Sequence, residues 1–438
     1  MPPATTAPVH YVLPGLAVTD HVLPVPLDWA AADRGEPTET IEVFVREVVD
    51  PARRHDDLPA VVFLQGGPGG ASPRPLSATG WIGELLRTRR VFLLDQRGTG
   101  RSSRVEGRRL AERGTPADQA TYLGLFRGDS IVRDAEHARH ALFGGRRWET
   151  LGQSYGGFVT LTYLSRAPQG LSACYVTGGL PSVRPDAADV YRRTFPRIAA
   201  KNEAWRERYP HAVDHAAAVA DRVSVGDVRL PDGDLLTVRR LQLLGQRLGM
   251  KHGGDSLHWL LDEALDVDGE PTAAFLEQVL TQTSFATNPL FVVLQEPIYG
   301  DPASAPTGWA AQAERDRRPE FAESARPLLF TGETMFPWMM DEIRLLRPFR
   351  EAADLLAART DWEPLYDLDA LAANEVPLAA AIYYEDMYVD AELQIETAAH
   401  LGATQTWVTN EWEHDGISDP RVVLGLRELI DKMGGPRA

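Results

Sequence analysis

Cysteine is almost absent: Cys174 is the only one in a chain of 438 residues. No intrachain disulfide can form, which excludes a disulfide framework and points to a reducing compartment. In the apolar run "LSACYVTGGL", Cys174 reads as a small buried hydrophobe. Basic blocks are missing as well. The 45 Lys and Arg face 62 Asp and Glu, for a net charge of −17, which argues against nucleic acid or an anionic membrane as a partner. No apolar run approaches the length of a membrane span. The start, "MPPATTAPVHYVLPG", carries neither the basic segment nor the apolar segment of a signal peptide. The expected location is cytoplasmic.

What is present is the composition of a globular protein, 44% apolar and 24% charged, with room for one large domain bearing an insertion or for two ordinary domains. In the first half, short continuous apolar runs alternate with helical spacing. "TIEVFVREVV" (40–49) alternates at the strand period. "LPAVVFLQGG" (58–67), "RRVFLLDQRG" (89–98), "WETLGQS" (148–154) and "LSACYVTGG" (171–179) read as strands, and "SIVRDAEHARHALF" and "YGGFVTLTYLSRAP" as helices. Buried strands separated by helices imply a mostly parallel sheet covered on both faces, an α/β fold. From about Pro181 the texture becomes helical, with "GDVRLPDGDLLTV" a hairpin candidate. Strand texture returns in "EVPLAAAIYYED" (375–386) and "ATQTWVTN" (403–410), and "DPRVVLGLRELIDKM" reads as a closing helix. The expected organisation is a catalytic domain from residues 1–180 and 361–438, interrupted by a mainly helical cap over 181–360.

Between a strand and a helix sits Gly152-Gln153-Ser154-Tyr155-Gly156, the pattern of a nucleophile elbow. The turn strains the serine backbone and brings neighbouring chain close, so glycines are needed two positions to either side. It also puts Ser154 at a helix N-terminus, where free N–H groups favour an anion. A serine hydroxyl needs an oxyanion site and a base. The glycine loop "FLQGGPGGA" (63–71) supplies backbone N–H groups, with Gly67 and Tyr155 as the expected pair of oxyanion donors. The loop lacks the lysine of a phosphate-binding loop. Chain order in this fold is Ser, then acid, then His. His414, in the loop "NEWEHDGIS" after the last strand, is the expected base. His400, the other late histidine, reads as a helix C-terminal residue. The acid is Asp386 at the end of the preceding strand, with Asp390 and Glu385 as neighbours.

Three segments resemble the proline iminopeptidases (prolyl aminopeptidases) of the α/β-hydrolase fold. They are "QGGPGGA" at 65–71, "DQRGTGRSS" at 95–103 and "GQSYGGF" at 152–158. Gln65 stands where that family usually has histidine, a modest departure because the loop's backbone carries the oxyanion role. Asp95 and Arg97 read as structural ties around the elbow. The resemblance implies an α/β-hydrolase fold with a large helical cap and a serine peptidase without metal or organic cofactor. The implied substrates are peptides with a free N-terminal proline. Such an enzyme must recognise an ammonium, and a buried ammonium needs carboxylates. Glu296 in "VVLQEPIYG" and Glu333 in "LLFTGETMFPWMM" are isolated acids in apolar runs that resemble cap segments bearing amine-binding glutamates in the family. Tyr299, Phe336 and Trp338 are candidates for the pocket of the prolyl ring. Other readings keep the fold: an esterase, a peptidase releasing longer N-terminal pieces, or a catalytically silent binding module. Dehalogenase and epoxide-hydrolase chemistry is disfavoured, because those elbows carry Asp where this one has Ser154.

Overall fold

The computed structural model describes residues 7–437. Nine strands form one sheet: β1 (Val9–Leu13), β2 (Leu16–Pro26), β3 (Thr40–Val49), β4 (Ala60–Leu64), β5 (Arg90–Asp95), β6 (Trp148–Gln153), β7 (Leu171–Thr177), β8 (Leu378–Tyr383) and β9 (Thr404–Thr409). The order is β1-β2-β3-β5-β4-β6-β7-β8-β9. From β5 to β9 every pairing is parallel, while β1, β2, β3 and β5 pair antiparallel. The antiparallel leader β1–β2 was not legible in the sequence.

The central strands are apolar throughout because both faces are covered. Val62, Leu64, Phe92 and Leu94 enter one core cluster, and their neighbours Val61, Phe63, Val91 and Leu93 enter the other, as the period of two requires. β9 departs from the expected buried texture. It lies at the sheet edge, and its side chains are mostly exposed or half-buried.

The helices that matter for the site are α1 (Gly128–Phe143), α2 (Tyr155–Arg166), α3 (Ala187–Arg208), α4 (Pro289–Leu294), α5 (Ala391–Ala398) and α6 (Pro420–Lys432). Their ends follow local chemistry. Asp186 caps α3 through Ala188 N, Asp390 caps α5, and Asp419 caps α6 ahead of Pro420. Between β7 and β8 the described residues form helices and turns but no named strand. The hairpin expected near residues 227–237 reduces to a single antiparallel bridge, Arg229 to Leu235. This helical region bears down on the glycine loop: a Cβ on Gly69 would stand 2.7 Å from the Leu290 Cβ of α4.

Buried ion pairs tie the loops beneath it. The Arg97 guanidinium, wholly buried, donates to both oxygens of Asp134 at 2.7 Å and to the carbonyls of Pro26, Leu27 and Leu125. Asp95 accepts from the backbone N–H groups of Ser72 and Arg101 and pairs with Arg74. Both residues serve structure, as their place in "DQRGTGRSS" suggests.

Candidate active site

Parallel strands deliver their carboxyl ends to one edge of the sheet, and the loops after β4, β6, β8 and β9 converge there. The loop after β6 is the elbow. Ser154 has φ 53° and ψ −125°, a conformation that costs a non-glycine residue about 1–3 kcal/mol. It is held at both ends. Ser154 N donates to Thr177 O at 3.0 Å, and Gly157 N donates to Ser154 O at 2.7 Å. The flanking glycines are steric necessities. A Cβ on Gly156 would lie 1.8 Å from Leu64 O, and one on Gly152 would lie 2.4 Å from Gly156 O. As the first residue of α2, Tyr155 has a backbone N–H outside the intrahelical ladder. The loop 65–71 comes up beside it: a Cβ built on Gly66 would be 2.9 Å from the Ser154 Cβ. Gln96 Nε2 donates to Gln65 O at 2.7 Å and fixes the start of that loop; Gly67 follows with φ 130°.

His414 and Asp386 meet across 28 residues of sequence. His414 Nδ1 is 2.7 Å from Asp386 Oδ2, with both side chains buried. The other Asp386 oxygen accepts from Tyr388 N at 2.7 Å and Val389 N at 3.0 Å. A carboxylate held this way keeps its orientation and fixes the imidazole tautomer, Nδ1–H towards Asp386, leaving Nε2 as an acceptor. Tyr388 covers the imidazole, ring centroids 4.5 Å apart, and His414 N donates to Gly249 O. Burial opposes a charge on His414. The carboxylates of Asp386, Glu333 and Asp415 outweigh it, so the pKa is raised above its ordinary value.

Two adjacent residues join the halves of the site. A Cβ on Gly178 would sit 3.3 Å from His414 Nδ1, and one on Gly179 would sit 2.2 Å from Ser154 O. The sequence neighbours of these groups serve elsewhere. Asp390 caps α5 and pairs with Arg197. Glu385 and Glu413 both face Lys201 of α3, at 3.6 and 2.6 Å. His400 is exposed, just past the end of α5.

Above this group the helical region contributes acids. Glu296 is 2% exposed. One of its oxygens accepts from Ala311 N at 3.0 Å, and the other, Oε2, makes no hydrogen bond. Burial, only partly offset by the backbone N–H groups of Ala311, Ala310 and Trp309 and by the Thr307 hydroxyl, pushes its pKa up to about 7. Glu333 is pushed up to about 8, first by burial; the nearby His414 acts the other way and Asp386 reinforces the rise. Tyr191 and Tyr299, both buried, sense both glutamates, and their phenols are held well above the usual range by burial and those charges. Tyr191 OH and Gln295 Oε1 are also buried without a hydrogen-bond partner.

Sequence reasoning missed Tyr191, Gln295 and Tyr388. Gln295 adjoins Glu296 and Tyr388 lies two residues past Asp386, so proximity in sequence was a usable signal for these two. Tyr191 carried none, being one turn of a long helix. Phe336 and Trp338 are engaged elsewhere. They stack on each other at 5.7 Å, with Arg315 over Phe336 and Arg239 over Trp338, whereas Tyr299 packs at 6.0 Å from Phe158 of the elbow helix.

Comparison with known proteins follows this geometry. Residues 59–219 match the family described as alpha/beta hydrolase fold. A proline iminopeptidase of Aeromonas sobria is 45% identical over 413 residues, 94% of this chain and 96% of that protein. A proline iminopeptidase of Aspergillus aculeatus is 34% identical over 405 residues, 90% of this chain and 88% of that one. Among solved structures, a proline iminopeptidase of Mycobacterium smegmatis aligns over 94% of this chain and 98% of that one, at 15% identity and a TM-score of 0.43.

Proposed function

The chain belongs to the proline iminopeptidase family of α/β-hydrolases and is a hydrolase, and from that premise we propose that it removes N-terminal proline from peptides through a Ser154–His414–Asp386 triad. Ser154 Oγ attacks the carbonyl carbon of the first residue, and His414 Nε2 takes its proton. Asp386 orients the ring and stabilises the imidazolium. The backbone N–H groups of Gly67 and Tyr155 receive the negative charge that develops on the carbonyl oxygen. The tetrahedral species collapses, His414 returns the proton to the departing amine, and a prolyl ester of Ser154 remains. Water then attacks that ester with His414 again as base, releasing free proline. Residues 1–180 and 361–438 form the catalytic domain in this reading, and 181–360 the cap that restricts entry.

The observation that carries the choice of an aminopeptidase is the pair of acids, Glu296 and Glu333, that the helical region contributes among apolar and aromatic side chains. Glu296 Oε2 and Gln295 Oε1 are buried without partners, and Glu333 faces the His414–Asp386 pair. A buried carboxylate, Glu296, and a partly buried one, Glu333, suit the secondary ammonium of an N-terminal proline, which presents two N–H donors. Tyr299 supplies a wall for the ring. Phe336 and Trp338, given their contacts with Arg315 and Arg239, act by shaping the cap. The test is a panel of chromogenic aminoacyl amides with free and acetylated N-termini. Prolyl amide should be turned over and its acetylated form refused. An enzyme that cleaves both alike, or only simple esters, would instead be an esterase or an endopeptidase.

A further inference from the structure

The turn that carries Glu296 and Tyr299 is reached by one cation from the sheet-bearing half of the molecule. Arg127 stands at the N-terminus of α1 and is 3% exposed. It donates at 2.7 Å to Gly300 O, one residue past Tyr299. Its guanidinium lies 4.3 Å from the ring centroid of Trp362, and Trp362 in turn abuts Gly300, where a Cβ would fall 2.5 Å from the indole nitrogen. No carboxylate hydrogen-bonds to Arg127, and its Nε has no partner. Burial accordingly pushes its pKa below the ordinary arginine value, with Asp129 the leading opposing charge.

The buried Arg97 looks different. Arg97 saturates its donors on Asp134 and three carbonyls. Arg127 is buried at considerable electrostatic cost yet spends its short hydrogen bond on a single cap carbonyl. Segment 296–300 forms a tight turn, Tyr299 N to Glu296 O and Gly300 N to Pro297 O, with Glu296 tied to Ala311 N and Tyr299 packed on Phe158; the Arg127 bond adds a tie at the far end of that turn.

We propose that Arg127 is a positioning residue for substrate recognition: by holding Gly300 O against Trp362, it sets Glu296 and Tyr299 at the height where a free N-terminal amine meets Ser154. The inference rests on the amine-binding role given to Glu296 above. It assigns Arg127 no contact with substrate.

The test compares a prolyl amide with a free amine against a simple acetyl ester, which needs Ser154 but no amine recognition. For Arg127→Gln the KM for the prolyl amide should rise tenfold or more, while kcat/KM for the ester stays within about threefold of wild type. Arg127→Lys, which keeps a cation, should recover part of the amide KM. Gly300→Ala displaces the same turn from the cap side and should reproduce the KM-selective loss even if Arg127→Gln does not fold. Loss of ester and amide in parallel, in either variant, would overturn the proposal by making Arg127 a support of the elbow. Unchanged kinetics for both substrates would overturn it too. The premise is checked separately with wild type and Glu296→Gln. If wild type accepts free and blocked amines alike, amine recognition itself fails and the proposal falls with it, whatever the Arg127 variants do.

Discussion

Replacing Glu333 by Gln should make the protein more stable and a poorer aminopeptidase at once, and the gain should depend on pH. Glu333 is pushed from an ordinary value of 4.5 up to about 8 by burial. The sign follows from linkage. The folded state binds a proton on Glu333 that the unfolded chain has already lost above about pH 4.5, so stability falls with rising pH between the two values and levels off beyond the upper one. At about 1.4 kcal/mol per pH unit the full displacement corresponds to about 5 kcal/mol, and relaxation of a partly exposed carboxyl reduces this to about 2–4 kcal/mol. Gln keeps the shape and removes the ionisation. Urea unfolding of wild type and Glu333→Gln should therefore give nearly equal stabilities at pH 5 and a variant ahead by about 2–4 kcal/mol at pH 8.5. Over the same series, kcat/KM for a prolyl amide should drop by about 100-fold or more in the variant, as expected for a lost buried charge pair. Acetyl ester hydrolysis should change by only a few fold. A stability difference independent of pH would refute the reasoning, because Glu333 would then ionise like a surface carboxyl.

Ser154→Ala should abolish prolyl amide turnover, by a factor of about 10³ or more, while leaving the far-UV circular dichroism unchanged; near-wild-type turnover would remove Ser154 from the mechanism. In wild type, kcat/KM for a free-amine prolyl amide should rise with pH across about 6–8, as His414, raised above its ordinary value, and the elevated Glu296 and Glu333 lose protons. The Glu333→Gln variant should shorten that rise, and an identical profile would show that Glu333 plays no part in it. Arg97→Ala should strand a buried Asp134 and destabilise the fold by about 3–5 kcal/mol, read as a fall in the urea midpoint. A midpoint close to wild type would mean that water re-solvates the carboxylate.

The parts of this molecule that sequence made legible are those where one local constraint admits few residue types. The elbow demanded glycine at 152 and 156 because Leu64 O and the chain's own turn leave no space for a Cβ. The central strands declared themselves by continuous apolar runs, since both faces are buried. Asp386 and His414 could be singled out because parallel topology sends the ends of successive strands to one edge, so chain order stands in for spatial order. The rest depends on tertiary packing that leaves no local mark. Tyr191 lies 105 residues from Glu296 on a helix whose buried face has an ordinary apolar period, and its position between two glutamates follows only from how the helix docks. The contacts of Phe336 and Trp338 were equally illegible, for the converse reason. Adjacency to Glu333 in sequence places them near it along the chain, while their rings turn to Arg315 and Arg239. β1 went unread because an edge strand mixes polar and apolar residues, and β2 because its alternating burial runs through Asp20, His21 and two prolines rather than through a plain apolar pattern.

The burial of Glu296 and the partial burial of Glu333 bear on how the proposed amine recognition would work. A carboxylate at the surface would attract any cation weakly and would pair with water nearly as well as with substrate. Glu296 and Glu333 sit where burial has raised their pKa values to about 7 and about 8, so near neutral pH they carry less charge than exposed carboxylates would. In the proposed reading an incoming ammonium would restore the ionised form, and the attraction would then act in a poorly screened environment. Internal peptide nitrogens carry no charge and cannot drive that ionisation. In the proposed reading an acylated N-terminus would leave Glu296 Oε2 still without a hydrogen-bond partner, an unpaired-group penalty of about 1–3 kcal/mol in addition to the lost ion pair. If Glu296 and Glu333 bind the amine as proposed, discrimination between a free terminus and a blocked one would follow from the same burial that lowers the stability of the fold, and the two effects should not be separable by substitutions at either residue.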